Sequence, residues 1–263
     1  MGSIPEKNKS PNSPGAPSIL VTNDDGVYAP GIRALYEAVR GLGRAVIVAP
    51  ERDKSAVSHS LTMNRPLRVR QVEENVFTLD GTPTDCVTIG TNKVLSEKPV
   101  LLVSGINPGP NLGDDISYSG TVSAAIEGTM YGIPSLAFSL AGEAPFDFDV
   151  AAGVAWKLSA MALEFGLPDD TLLNINIPQR AAGEIRGIRF TRQGRRIYHN
   201  AIQENYDPWG RKHYWIGGGT VQWSGGDNTD EQVLRDGFIS VTPIQLDLTN
   251  HAGLDYLQRR WKM

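Results

Sequence analysis

Asp24 and Asp25 are adjacent carboxylates that end a short apolar run, Ile19-Leu20-Val21-Thr22-Asn23. Two carboxylates brought together repel unless a cation or a proton sits between them. Neighbouring side chains on a strand point to opposite faces. The pair therefore converges only if the chain bends there, and Gly26 tolerates the positive φ that such a bend needs. Taken alone, Asn23-Asp24-Asp25-Gly26 reads as an ordinary turn; oxygen donors later in the chain make it a site. Two of them lie beyond later apolar runs: Ser55 in the loop after Ala45–Ala49, and Asn107 just past Val100–Val103. If these runs are parallel strands of one sheet, their ends share one edge and the groups can meet. Carboxylate, hydroxyl and amide oxygens are hard ligands. Asp24, Asp25, Ser55 and Asn107 thus suit one divalent cation per subunit, Mg²⁺ or Mn²⁺, with Ca²⁺ also able to occupy the site. No paired His or Cys motif supports zinc.

A second feature is Ser117, Ser119, Gly120 and Thr121 at the mouth of a helix expected from Thr121, with Asn107 nearby on the same edge. Free N–H groups and the positive dipole end make such a mouth a ready phosphate site. Ser119 as a simple helix cap is the plainer reading of these residues alone. A hard cation beside an anion cradle is the arrangement for phosphoester hydrolysis, because the cation neutralises phosphate charge and lowers the pKa of a bound water. Asp24 or Asp25 could instead be a covalent nucleophile, and the residues do not distinguish the two routes.

The elements that must position these groups are set by hydrophobic periodicity. Ile19–Val21, Ala45–Ala49, Val100–Val103, Ser135–Ser139 and Leu172–Ile177 read as buried strands, the last completing the sheet. Helices are expected from Pro30 through Ile32, Leu35 and Val39, through Val87, Ile89 and Val94 with Thr84 or Asp85 as cap, through Val122 to Met130, and over Val150–Phe165. Strand, helix, strand in this order forces a parallel pair with a right-handed crossover. Leu67–Val72 and Val76–Leu79 read as a hairpin. The expected fold is α/β, a Rossmann-like and mostly parallel sheet flanked by helices. Residues 1–18, rich in Pro, Ser and Asn, are read as a disordered lead-in, 19–178 as the catalytic core and 179–263 as a C-terminal β arm, closing strand and terminal helix. Arg195-Arg196, Trp209, Trp215 and Trp223 fall in that last segment, and alternation around Tyr214-Trp215-Ile216 predicts an extended arm. Exposed aromatics on such an arm fit a subunit interface better than a catalytic centre.

Composition narrows the class. The 263 residues are 40% hydrophobic and 21% charged, which is ordinary for a globular chain. A net charge of −4 offers no basic surface for a nucleic-acid polymer or an anionic membrane. No apolar run approaches the ~20 residues of a membrane span, and the N-terminus has no signal-peptide core, so a cytoplasmic location is expected. Cys86 is the one cysteine, which rules out an intrachain disulfide. There is no P-loop and no Gly-x-Ser-x-Gly elbow. The four histidines are scattered, and only His59, in the loop of Ser55, could approach a substrate.

Several blocks together resemble the SurE (survival protein E) nucleotidase family. They are Asn23-Asp24-Asp25-Gly26 with Ala29-Pro30-Gly31-Ile32, Ala49-Pro50-Glu51-Arg52 with Ser55 and Ser60-Leu61-Thr62, and Gly81-Thr82-Pro83-Thr84-Asp85-Cys86-Val87. Val103-Ser104-Gly105-Ile106-Asn107, the run Gly109 to Asp115, Tyr118-Ser119-Gly120-Thr121-Val122 and Gly237 to Pro243 extend the likeness over nearly all of Ile19 to Thr249. The resemblance implies a metal-dependent phosphatase of nucleoside 5'- and 3'-monophosphates, with Asp24, Asp25, Ser55 and Asn107 on the cation. It implies a homodimer or homotetramer built partly by exchanged C-terminal segments and β arms. Two departures are visible: Ala56 where many members have Gly, and Glu51 where many have Asp.

Three rival readings compete with a nucleotidase. A broader phosphatase or short-chain exopolyphosphatase would share the metal and phosphate groups. A nucleotide-binding sensor would keep the metal as a structural element and show no turnover. A sugar-nucleotide transferase would need a second nucleotide-binding half, which residues after Pro178 do not resemble.

Overall fold

The computed structural model describes residues 16–199, 202–217 and 219–261. Most of the expected 1–18 lead-in therefore lies outside the described residues. The first strand, β1 (Ser18–Thr22), is followed by α1 (Pro30–Val39) and β2 (Arg44–Pro50), and β1 pairs in parallel with β2. A hairpin of β3 (Val69–Glu73) and β4 (Val76–Leu79) leads to α2 (Pro83–Ile89) and one π turn at Gly90–Val94. Next come β5 (Leu101–Pro108), α3 (Gly120–Met130), β6 (Ser135–Ala141), α4 (Asp149–Phe165) and β7 (Thr171–Pro178).

The main sheet runs β3-β4-β2-β1-β5-β6-β7, then β13 (Ile239–Gln245) and β8 (Ile188–Phe190). All core pairings from β4 to β7 are parallel, while β13 runs antiparallel to β7. This is the expected Rossmann-like α/β sheet with helices on its faces. Leu172–Ile177 does not end it, because β13 and β8 add two strands beyond. After β1 the chain builds outward through β2, then returns to lay β5 on the opposite side of β1. The crevice between β1 and β5 is therefore a topological switch point, where such sheets bind ligands.

Strand periodicity divides the core in two. Ile19 and Val21, Ala45, Ile47 and Ala49, and Leu101 and Val103 face α1 and α4, packing with Ile32, Leu35, Ala151 and Ala155. The intervening Leu20, Val46, Val48 and Leu102 pack on the other side with Cys86, Val87, Val122 and Ala125 of α2 and α3. Each strand is apolar on both faces, so sequence alternation is absent where both layers are covered. Full burial of each such Val, Leu or Ile is worth ~1.5–3 kcal/mol.

The cap of α2 is Thr82, not Thr84 or Asp85. Its side chain accepts from the Asp85 amide while the Asp85 carboxylate accepts from the Thr82 amide, closing a capping box with Pro83 at the first helical position. Asp85 thereby serves the third position of the helix. β5 continues past the expected Val103 to Pro108, with a shift of register against β6 between Ser104 and Asn107.

Beyond β8 the chain runs out through β9 (Arg195–His199) and β10 (Ile202–Tyr206) and returns through β11 (Lys212–Ile216) and β12 (Thr220–Ser224). β10 pairs with β11, and β9 with β12, both antiparallel, which is the expected β arm. A short helix, α5 (Asp230–Arg235), links the arm to β13, and α6 (His251–Arg260) ends the described chain with none of its residues buried.

Candidate active site

The turn after β1 is closed by Asn23, whose Nδ2 donates to the Gly26 carbonyl at 3.0 Å and whose Oδ1 accepts the Gly26 N–H at 3.2 Å. Gly26 takes φ +103°, as the bend between the carboxylates requires. Asp24 is buried and points to the N-terminus of α3, where the Thr121 hydroxyl donates to its Oδ1. A Cβ on Gly120 would lie 2.7 Å from the Asp24 Cβ and 2.8 Å from Oδ2, so helix and carboxylate are in direct contact.

Burial raises the pKa of Asp24, and the hydrogen bonds from Thr121 only partly oppose this. Asp25 is half-buried and is raised to about 7, first by burial, then by the charge of Asp24 and that of Asp53. Its Oδ2 is buried with no hydrogen-bond partner. A like-charged pair with an orphaned oxygen is a site short of positive charge.

Ser55 enters from the loop after β2. Its N–H and hydroxyl both donate to Asp53 Oδ1, at 2.6 and 2.5 Å, which leaves the hydroxyl lone pairs available. Ala56 sits at φ +56°, in the left-handed region that costs a residue with a Cβ ~1–2 kcal/mol. The far part of this loop is pinned: Ser58 Oγ donates to the Ser117 carbonyl at 2.7 Å, and Thr62 binds both oxygens of Asp85. His59 turns away to Glu127, 2.8 Å from Oε2, while Thr88 holds the other Glu127 oxygen. It is therefore a pin for the loop and does not line the cavity.

Asn107, at the irregular end of β5, donates from Nδ2 to the Gly109 carbonyl at 2.8 Å, and its Oδ1 has no donor among the described residues. Asp24, Asp25, Ser55 and Asn107 all line one cavity of about 1150 Å³ at the β1–β5 switch point. Of the phosphate candidates, Ser119 lines that cavity, though its Oγ also accepts the Val122 N–H as cap of α3. Thr121 gives its hydroxyl to Asp24, Gly120 abuts Asp24, and the exposed Ser117 donates to the Asp114 carbonyl.

The donor chemistry fits a hard divalent cation. Two carboxylates, a hydroxyl and an amide oxygen line one cavity, one carboxylate oxygen is orphaned, and burial first, then like charge, pushes the pair toward protonation. Among the described residues no group of three or more His, Cys, Asp or Glu could hold a metal.

The cavity also holds residues that the sequence did not single out. Asn111 is buried and clamped: its N–H donates to Asn176 and its Nδ2 to Ser139, while Asn174 and Asn176 donate to its carbonyl. Asp115 lines the wall together with Arg196 and Tyr198 from β9. The arm thus reaches the same cavity as the carboxylates, in addition to carrying exposed aromatics further out. Its root is tied in by buried Asp230, which accepts the N–H of Gly113 at 2.8 Å and that of Gly194 at 2.8 Å. The run Asp114-Asp115 after a Gly-rich loop and the pair Arg195-Arg196 were the available signals, but nothing local says that they meet.

A family model described as survival protein SurE matches residues 19–200. A protein named 5'-nucleotidase SurE from Syntrophotalea carbinolica is 53% identical over 247 residues, 93% of this chain and 97% of its own. One of the same name from Aquifex aeolicus is 48% identical over 247 residues, 92% of this chain and 98% of its own. The crystal structure of SurE protein from Aquifex aeolicus superposes with a TM-score of 0.81 at 45% identity, covering 92% of this chain and 100% of that one.

Proposed function

The chain belongs to the survival protein SurE family, and on that premise we propose that it is a 5'-nucleotidase that requires a divalent cation and also accepts 3'-monophosphates. The observation that carries the metal requirement is the Asp24–Asp25 pair, one buried and one half-buried, mutually repelling and with Asp25 Oδ2 orphaned, lining one cavity with Ser55 and Asn107. When bound, the cation supplies neutralisation of phosphate charge and a lowered pKa for water.

The chain's own residues do the remaining work. Thr121 and the α3 terminus fix Asp24 in one orientation. Asn23 and Gly26 hold the turn that presents Asp25. Gly109 anchors the Asn107 amide so that Oδ1 is left for a ligand, and Asp53 orients Ser55. Asn107 and Ser119 receive the phosphate oxygens through the donors they keep, the second Nδ2–H of Asn107 and the hydroxyl of Ser119. Water attacks phosphorus, the P–O ester bond breaks, and the nucleoside oxygen leaves with a proton, giving nucleoside and inorganic phosphate. Exposed aromatics on the arm and a terminal helix without buried residues support a homodimer or homotetramer.

Phosphate release from nucleoside 5'- and 3'-monophosphates and tripolyphosphate, with Mg²⁺, Mn²⁺ or EDTA, tests this reading beside Asp25→Asn. Loss of turnover in EDTA and in the variant is expected. Preference for tripolyphosphate would move the assignment to a polyphosphatase. Nucleotide binding without turnover under any cation would overturn the enzyme and leave a sensor.

A further inference from the structure

The cavity is too large for a phosphate group alone: about 1150 Å³ exceeds the ~300–1,000 Å³ of pockets that enclose whole small molecules. The carboxylates, Ser55, Asn107 and Ser119 account for one part of its lining. The arm supplies another, and there Asp115, Arg196 and Tyr198 form a single interlocked cluster. Asp115 accepts the Tyr198 hydroxyl at 2.8 Å on Oδ1 and 3.0 Å on Oδ2, and pairs with the Arg196 guanidinium. The Arg196 N–H donates to Asp114 Oδ2 at 3.0 Å. The guanidinium carbon lies 4.7 Å from the Tyr198 ring centroid and 5.3 Å from that of Trp223, so the cation is packed against both rings.

This arrangement limits what each group can offer a ligand. The Arg196 charge is already paired with Asp115, while its buried Nε–H has no hydrogen-bond partner. The Tyr198 hydroxyl is spent on the same carboxylate. What Tyr198 retains is an aromatic face, held at a fixed angle and 48% exposed in a cavity that also contains the phosphate machinery. Aromatic faces of this kind bind flat heteroaromatic rings, since every nucleobase has a π-face. Tyr118 also lines the cavity, but among the described residues no comparable ion pair or ring contact fixes its ring.

We propose that Tyr198 is the specificity-determining residue of this cavity, stacking the base of a nucleoside monophosphate, with Arg196 and Asp115 as the positioning residues that hold its ring. The inference rests on the nucleotidase reading above and adds the group that makes the site select nucleotides over other phosphomonoesters. Ribose 5-phosphate carries the same ester and sugar without the base, and so isolates the contribution of stacking.

The test compares kcat/KM for adenosine 5'-monophosphate and ribose 5-phosphate in wild type, Tyr198→Ala, Tyr198→Phe and Asp115→Asn, and measures nucleotide Kd by calorimetry. Tyr198→Ala is expected to lower kcat/KM for the nucleotide about tenfold to a hundredfold, chiefly through KM, and to weaken its binding in proportion. Ribose 5-phosphate turnover stays within about twofold, as expected for loss of contacts to the base alone. Tyr198→Phe, which keeps the ring, retains most of the preference, and Asp115→Asn raises KM for the nucleotide with kcat little changed. An unchanged ratio of the two substrates in Tyr198→Ala, or an unchanged nucleotide Kd, overturns the assignment of Tyr198. Failure of the wild type to hydrolyse any phosphomonoester overturns the phosphatase reading instead, and the calorimetric Kd then judges the stacking on its own.

Discussion

Gly120 lies against Asp24 so closely that a methyl group on it would sit 2.7 Å from the Asp24 Cβ and 2.8 Å from its Oδ2. The N-terminus of α3 and the first carboxylate of the site are thus one rigid unit, closed by the Thr121 hydroxyl. Gly120→Ala must displace either the helix or Asp24. A shift of ~1 Å at a reacting centre costs about a hundredfold in rate, so phosphate release is expected to fall by about that factor. The thermal midpoint should fall as well, because the added methyl clashes with buried Asp24. Wild-type turnover in Gly120→Ala would show that Asp24 tolerates displacement.

The raised pKa of Asp25 makes the cation-free protein less stable as pH rises. Asp25 shifts from 3.8 to about 7 on folding, mainly through burial and then through Asp24. Between those values the native state holds a proton that the unfolded chain has lost, so the stability linked to this proton is full below about pH 4 and gone above about pH 7. Asp24 is raised as well and acts in the same sense. Denaturant midpoints in EDTA should therefore decline across this window, and Mg²⁺ should flatten the decline by replacing the proton. Asp25→Asn should reduce the slope in EDTA; an unaltered slope would remove Asp25 as its source.

Asp230 joins the arm to the loop that carries Asn111 and Asp115. It is fully buried and accepts the N–H groups of Gly113 and Gly194, each at 2.8 Å. Asp230→Ala leaves both donors unsatisfied, at ~1–3 kcal/mol for each buried group. A loss of about 2–6 kcal/mol in folding free energy is expected from those two groups. In whatever fraction stays folded, KM for nucleotide should rise more than for ribose 5-phosphate, since the arm wall loses its anchor. Chemical denaturation with paired kinetics checks both. A stability loss without that KM difference would confine Asp230 to folding.

The sequence by itself determined the elements whose patterns are local. Ile19–Val21, Ala45–Ala49 and Val100–Val103 are apolar at every position because both faces of a central parallel strand are covered. Asn23 and Gly26 announce the turn through their own backbone chemistry, and Pro83 after Thr82 marks the start of α2, although the cap itself lies two or three residues before the expected Thr84 or Asp85. Asp24, Asp25, Ser55 and Asn107 were legible as one set because parallel strand ends must share an edge.

The tertiary structure alone decided which groups those donors meet. That Thr121 would spend its hydroxyl on Asp24, 97 residues away, depends on how α3 packs across the sheet. That His59 would turn to Glu127, 68 residues on, depends on the course of an irregular loop. The arm is the clearest case. Alternation predicted extended strands over Tyr214-Trp215-Ile216, but strand periodicity carries no information about where a hairpin's root will lie. Arg196 and Tyr198 reach Asp115 across 81 and 83 residues of chain. Asp230 fixes that approach through backbone N–H groups, which look the same in every sequence. Side-chain patterns encode which face is buried; the meeting of distant loops is set by closure of the whole chain around them.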